Sequence, residues 1–249
     1  MTAQLRSELL KQRTTRTNLA LLAWMVGLVV LVVALHVLSF GVDDLSRDGN
    51  QMKILGLGTL IGALFAALLG AMSITGEFRT GTIRPTFLVT PRRTRVVAAK
   101  VVASMLAGLG VGLVAAALTA GVETAGLAAR GIHIELGSGD YAQLLAGAAF
   151  AAALFGAIGV GVGALVRNQV ATVVGVCVWL LFLEPLLLGD VPSAGKYAPE
   201  ASAGAIAGAI QSQIADTLIA PALGVVLLAA YAGLATLAGS VLITRRDVD

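Results

Sequence analysis

Few residues in this chain have the types and spacing that chemistry requires. His36 and His133 are the two histidines, and neither stands beside a serine, cysteine or acid at the spacing of a triad or a metal site. The stretch Gly189-Asp190-Val191-Pro192-Ser193-Ala194-Gly195-Lys196-Tyr197 superficially follows a phosphate-binding loop. Its spacing is wrong, and Tyr197 occupies the place where Ser or Thr would meet magnesium. Gly156, Gly159, Gly161 and Gly163 fall inside an apolar run with no strand before them, so they are no dinucleotide fingerprint. Cys177 is the single cysteine and forms no intramolecular disulfide. What remains is recognition: the polar segment Glu77-Phe78-Arg79-Thr80-Gly81-Thr82-Ile83-Arg84-Pro85, and Glu184-Pro185, whose acid is the one such group read inside an apolar run. An ionised acid at mid-bilayer costs about 2.5–3.5 kcal/mol and less near the interface. Glu184 and Pro185 therefore read as an interfacial helix break, or as a polar contact of a gate or pathway. One such acid and two histidines make a poor relay for proton or sodium coupling, and no nucleophile–base pair supports an enzyme.

The elements that would position these residues are six apolar runs: 19–40, 54–74, 96–120, 141–166, 171–188 and 221–243. Each is long enough for a helix to cross a hydrocarbon core of about 30 Å, and none alternates as barrel strands do. Hydrophobic residues make up 57% of the chain and charged residues 12%, with mean hydropathy +0.91; a soluble domain carries about 25% charged residues. The expected fold class is all-α, a polytopic membrane protein of one domain, and six spans leave no room within these 249 residues for a separate soluble enzyme domain. The first run is too long for the apolar core of a signal peptide and reads as a retained anchor.

Charge placement predicts orientation. With the N-terminus in the cytoplasm, that side holds Arg6, Lys11, Arg13, Arg16, Arg79, Arg84, Arg92, Arg93, Arg95, Lys100, Arg167, Arg245 and Arg246, leaving Arg47, Lys53, Arg130 and Lys196 outside. The acids Asp43, Asp44, Asp48, Glu123, Glu135, Asp140, Asp190, Glu200 and Asp216 fall mostly outside. This is the positive-inside pattern, with both termini cytoplasmic, and it explains the basic residues through anionic headgroups better than through nucleic acid.

Around the spans, residues 1–18 read as an amphipathic surface helix, with Leu5, Leu9 and Leu10 on one side and Arg6, Lys11, Arg13 and Arg16 supplying charge. In the 76–95 loop, Glu77–Ile83 predicts a short helix broken at Arg84-Pro85. Thr90 caps a further helix with Pro91 at its first position, followed by Arg92 and Arg93, which runs into the third span. The loop 121–140 reads as external and irregular. The segment 189–220 is too polar to span, yet Ile206, Ile210, Ile214 and Leu218 recur at helical spacing, which predicts a partly buried, re-entrant-like outer helix. Gly58–Gly62, Gly108–Gly112 and Gly159–Gly163 fit the small-xxx-small pattern, for internal helix packing or for a seam between two copies.

The loop from Glu77 to Pro85, continuing to Thr90-Pro91-Arg92-Arg93, resembles the cytoplasmic element between the second and third spans of ABC transporter permeases of the type-2 exporter class. The basic N-terminal helix, six spans, long outer segment before the last span and short basic C-terminus are similar to that class along essentially the whole chain. The resemblance implies a permease without its own ATPase, acting as a dimer with two copies of a separate ATP-binding subunit, in a bacterial inner membrane. ATP and magnesium would sit on that partner, and this chain would bind no cofactor. Glu77, Phe78, Arg79, Gly81, Thr82 and Arg84 would couple to the ATPase, segment 189–220 would help form an extracellular gate, and the cargo would be hydrophobic or amphipathic. A membrane scaffold or regulatory subunit binding a cytoplasmic partner is the alternative.

Overall fold

The computed structural model describes residues 2–46, 50–89, 92–208 and 219–245. In chain order the helices are α1 (Thr2–Thr14), α2 (Arg16–Ser39), α3 (Val42–Leu45), α4 (Asn50–Thr80), α5 (Ile83–Val89), α6 (Arg93–Ala129), α7 (Ser138–Val166), α8 (Gln169–Val178), a π-helical turn (Trp179–Leu183), α9 (Glu184–Asp190), α10 (Pro192–Gly195), α11 (Pro199–Ala207) and α12 (Pro221–Arg245). No strand occurs among the described residues. Six helical segments are long and apolar enough to cross a membrane: α2, α4, α6, α7, the α8–α9 run and α12. This is the architecture of a multi-pass membrane protein.

Two of the six form the centre. The most apolar stretch of α4 is 89% buried and that of α7 is 72%, whereas in α2, α8–α9 and α12 it is 17–22%. A helix that is apolar all round has to be enclosed by others, and small residues allow the enclosure to be tight. A Cβ added at Gly70 would strike the Gly156 carbonyl, and one at Gly159 the Ala67 carbonyl, so α4 and α7 pack backbone to backbone in parallel. Gly58 and Gly62 face Thr119 and Ala115 of α6; Gly108 and Gly112 face Ala152 and Ala148 of α7; Gly163 faces Ala71 and Ile74 of α4. All three small-xxx-small pairs are therefore used in internal packing.

Several boundaries differ from those read in the sequence, each for a physical reason. The second span continues as one helix through Glu77, Phe78 and Arg79 to Thr80, and it ends at Gly81, whose φ of +71° is the left-handed conformation glycine adopts without strain. The break is there rather than at Arg84-Pro85, because Pro85 lies in the first turn of α5, where a missing N–H forfeits no bond. Helix α6 begins at Arg93; Thr90 and Pro91 lie outside the described residues. At its far end α6 runs on to Ala129 instead of giving way at Gly121. Gly126 admits Val37 of α2 there, Leu127 is fully buried, and Arg130 donates to the Phe40 carbonyl (2.7 Å) and to that of Val37. Glu123, expected in an external loop, is consequently a fully buried residue of α6. In the fifth span the distortion precedes Glu184: the π-helical turn opens the backbone just ahead of Pro185, whose ring cannot be seated against a regular preceding turn.

Two ends of this bundle can be told apart. The end that holds α1, α5, the starts of α2, α6 and α8, and the ends of α4, α7 and α12 carries most of the arginines and lysines, and is called the basic end below.

Candidate coupling site

The site at the basic end starts from one lysine. Lys100 lies about two turns into α6 and its side chain is 0% exposed. An ammonium so enclosed has to be paired and fully hydrogen-bonded, and all three of its protons are used. Nζ donates to Glu77 Oε1 (2.7 Å), to Glu8 Oε2 (2.8 Å) and to the Ser73 carbonyl (2.8 Å). Lys11 joins from α1, donating to Glu8 Oε1 and to Glu77 Oε1, both at 2.8 Å. One turn further on, Gln12 Nε2 donates to Ser104 Oγ (3.0 Å). Glu8 and Gln12 on α1 thus face Lys100 and Ser104 on α6, two residues four apart against two residues four apart, the spacing that shares a helix face.

The N-terminal helix therefore meets the bundle through its polar side. Glu8 and Gln12 are its buried residues, whereas Leu10 is 65% exposed and Leu5 and Leu9 are only partly covered. The polar face turns inward because α6 offers a buried cation to match it. Two lysines and two glutamates make the cluster neutral. Burial alone would raise the Glu8 carboxyl, but Lys100 and Lys11 outweigh it and hold the group below its usual range. Burial alone would lower Lys11, but its bonds to Glu77 and Glu8 push it above the ordinary lysine value.

Glu77, expected to offer its charge to a partner, is therefore turned inward, 8% exposed, and ties α4 to α1 and α6. Phe78 is half-buried. The Arg167 guanidinium stacks over its ring at 5.4 Å and donates to the Leu242 carbonyl at the end of α12 (2.9 Å). Arg93 does the same one element along, standing 5.2 Å from the Phe87 ring and donating to the Ile243 carbonyl (2.9 Å). Cations against the last carbonyls of a helix satisfy groups that have no partner within it. What is left outward is a tip: Arg79, Thr80, Gly81, Thr82, Arg84 and Pro85 are exposed, with Leu88 82% exposed, while Ile83 anchors it at 2%. Arg92 is exposed beside it.

At the opposite end, Glu184 is 1% exposed and does not cap its own helix break. It accepts from Trp179 Nε1 (2.9 Å), from the backbone N–H of Ala201 (3.2 Å) and from that of Glu200, which are the free donors in the first turn of α11. Helix α11 is buried from Glu200 to Ala207 and inserts against α4, α7 and α12, where Gly147 and Gly224 make room for its backbone. Pro185 is exposed and borders a cavity described below. Of the residues expected to continue the outer helix, Ile210, Ile214 and Leu218 lie outside the described residues.

Sequence reasoning missed Lys100, Glu8 and Gln12 as site residues. A signal was present: Lys100 stands inside the apolar run 96–120, between Ala99 and Val101, a position where a lysine is either at the surface or paired. Among the described residues there is no group of three or more His, Cys, Asp or Glu side chains placed to hold a metal. Neither protein-family models nor curated protein sequences give a match to this chain.

Proposed function

We propose that this chain is the transmembrane subunit of an ATP-binding-cassette exporter, driven by a separate ATPase that docks on the tip from Arg79 to Leu88. The observation that carries the reading is mechanical. The tip is exposed and basic with one protruding leucine, yet every root of it is tied into the bundle: Glu77 to α1 and α6, Phe78 to the α7–α8 turn and α12, Phe87 to α6 and α12. A push on the tip would move α4, α6 and α12 together instead of bending a loop, which is the behaviour a partner-driven permease requires. The chemistry on this chain fits the same reading, because ATP and magnesium would be held by the partner and the bundle itself would supply only a path. The orientation that follows puts the basic end in the cytoplasm of a bacterial inner membrane, with a second copy completing the path.

Affinity purification of the tagged protein from native membranes in mild detergent tests this. The expected result is near-stoichiometric recovery of an ATPase with a phosphate-binding loop, lost when Arg79, Arg84 and Leu88 are all changed to alanine, while the variant still inserts. Recovery of the chain alone, or with a cytoplasmic protein that hydrolyses no nucleotide, would replace the permease by a scaffold.

A further inference from the structure

A cavity lies at the end opposite the coupling site. It has a volume of about 730 Å³ and sits between the end of α2, the start of α4 and the α9–α10 turn. Ligand pockets for molecules of drug or lipid size run from about 300 to 1,000 Å³ and are apolar with a few placed polar groups. This one follows that plan. Leu57 and Leu60 of α4 line it together with Pro185 and Leu188 of α9.

Its charge is one-signed. Lys53 and His36 are its ionisable lining residues, and no carboxylate lines it among the described residues. Asp44, Glu184 and Asp190, the acids next in sequence to lining residues, are not among them. Lys53 is half-buried and makes no ion pair among the described residues. It also stands in the first turn of α4, where the helix dipole disfavours a cation and favours an anion. A half-buried lysine lining an apolar cavity, in a helix turn that favours negative charge, is complementary to one kind of molecule. His36 Nδ1–H donates to the Val32 carbonyl (2.8 Å), so the other nitrogen of the neutral ring is an acceptor, and Lys53 is the cationic donor left to meet an anionic head group.

We propose that this cavity binds an anionic amphiphile, with its hydrocarbon chain along Leu57, Leu60 and Leu188 and its head group on Lys53. A phospholipid of the surrounding bilayer and a free single-chain amphiphile share that chemistry. The site does not depend on the ATPase reading, and it needs no partner protein to be tested.

The full chain is placed in phosphatidylcholine nanodiscs and photolabelled with diazirine hexadecanoic acid or with its methyl ester, and the labelled peptides are read by mass spectrometry. The acid should label 53–60 and 185–189 at least about tenfold more than the ester, the ratio that about 1.4 kcal/mol of charge-assisted contact provides. Lys53→Met should reduce acid labelling to the ester level, and Lys53→Arg should keep it, which guards against a folding defect. Leu57→Trp, which fills the cavity, should remove both labels. If phosphatidylglycerol added to the discs displaces the acid, the bilayer lipid is the occupant; if it does not, a single-chain amphiphile is. Equal labelling by acid and ester, acid labelling unchanged in Lys53→Met, or cross-links between two copies through 53–60 in place of labelling would overturn the proposal.

Discussion

Replacing Lys100 by methionine isolates what the buried charge cluster does. The side chain is fully enclosed, and its three donors hold Glu8, Glu77 and Ser73 at 2.7–2.8 Å. Methionine keeps most of the volume, so the cavity contribution is small and the loss is electrostatic. Two nearly buried carboxylates would then share only Lys11, whose side chain is 49% exposed and too well solvated to compensate. Removing one partner of a buried ion pair costs about 3–5 kcal/mol, mostly through the charge left behind. The lower figure is apt here because α1 can leave its dock and carry Glu8 into water. About 3 kcal/mol is a factor of roughly 150 in the docking equilibrium. Hydrogen exchange on the protein in nanodiscs reads this directly: amides of α1 and of the last turn of α4 should lose protection by about that factor, while those at the centres of α4 and α7 stay protected. Lys100→Met combined with Glu8→Gln should recover part of the loss, since the stranded charge is gone. If α1 remains as protected in Lys100→Met as in the parent protein, the cluster does not hold the helix, and the mechanical argument for the tip loses its main support.

Other expectations follow from the same structure. Glu8 is held below its usual range, so its contribution is present above about pH 4.5 and is lost as pH falls through the folded value; Lys11 is raised, so its contribution is present below about pH 10.5 and is lost as pH rises through its folded value. Exchange of α1 amides, corrected for intrinsic rate, should therefore be flat from about pH 5 to 10 and should increase in stronger acid. Gly159→Val would drive a side chain into the Ala67 carbonyl and should cost at least about 1–3 kcal/mol, seen as aggregation on size-exclusion chromatography, whereas Gly110→Val, with open space around it, should elute as the parent does. Glu184→Leu should free the first turn of α11 and weaken its seat by about 1–2 kcal/mol, while Glu184→Gln, which keeps an acceptor oxygen, should lose less; proteolysis at 192–208 in nanodiscs distinguishes the two.

The number and approximate extent of the six spans were legible because their signal is local: a run long enough to cross hydrocarbon announces itself whatever it packs against. The end of α4 at Gly81 and the parallel contact of α4 with α7 were partly legible, the first as a glycine in a polar turn, the second as small residues four apart. Which small-residue pair met which helix was not, since one pattern serves internal packing and association between copies equally. The inward turn of Glu77, the docking of α1 by its polar face and the burial of Glu123 had no local signal. Each depends on what a distant segment supplies: Lys100 lies 23 residues from Glu77 and 92 from Glu8 in the chain. Composition and hydropathy by themselves determined that this protein is helical and can cross a membrane, because in hydrocarbon each helix satisfies its own backbone. Only the tertiary structure decided which charges are interior fasteners and which are left at the surface, because a buried charge is stable only where its partner has been brought to meet it.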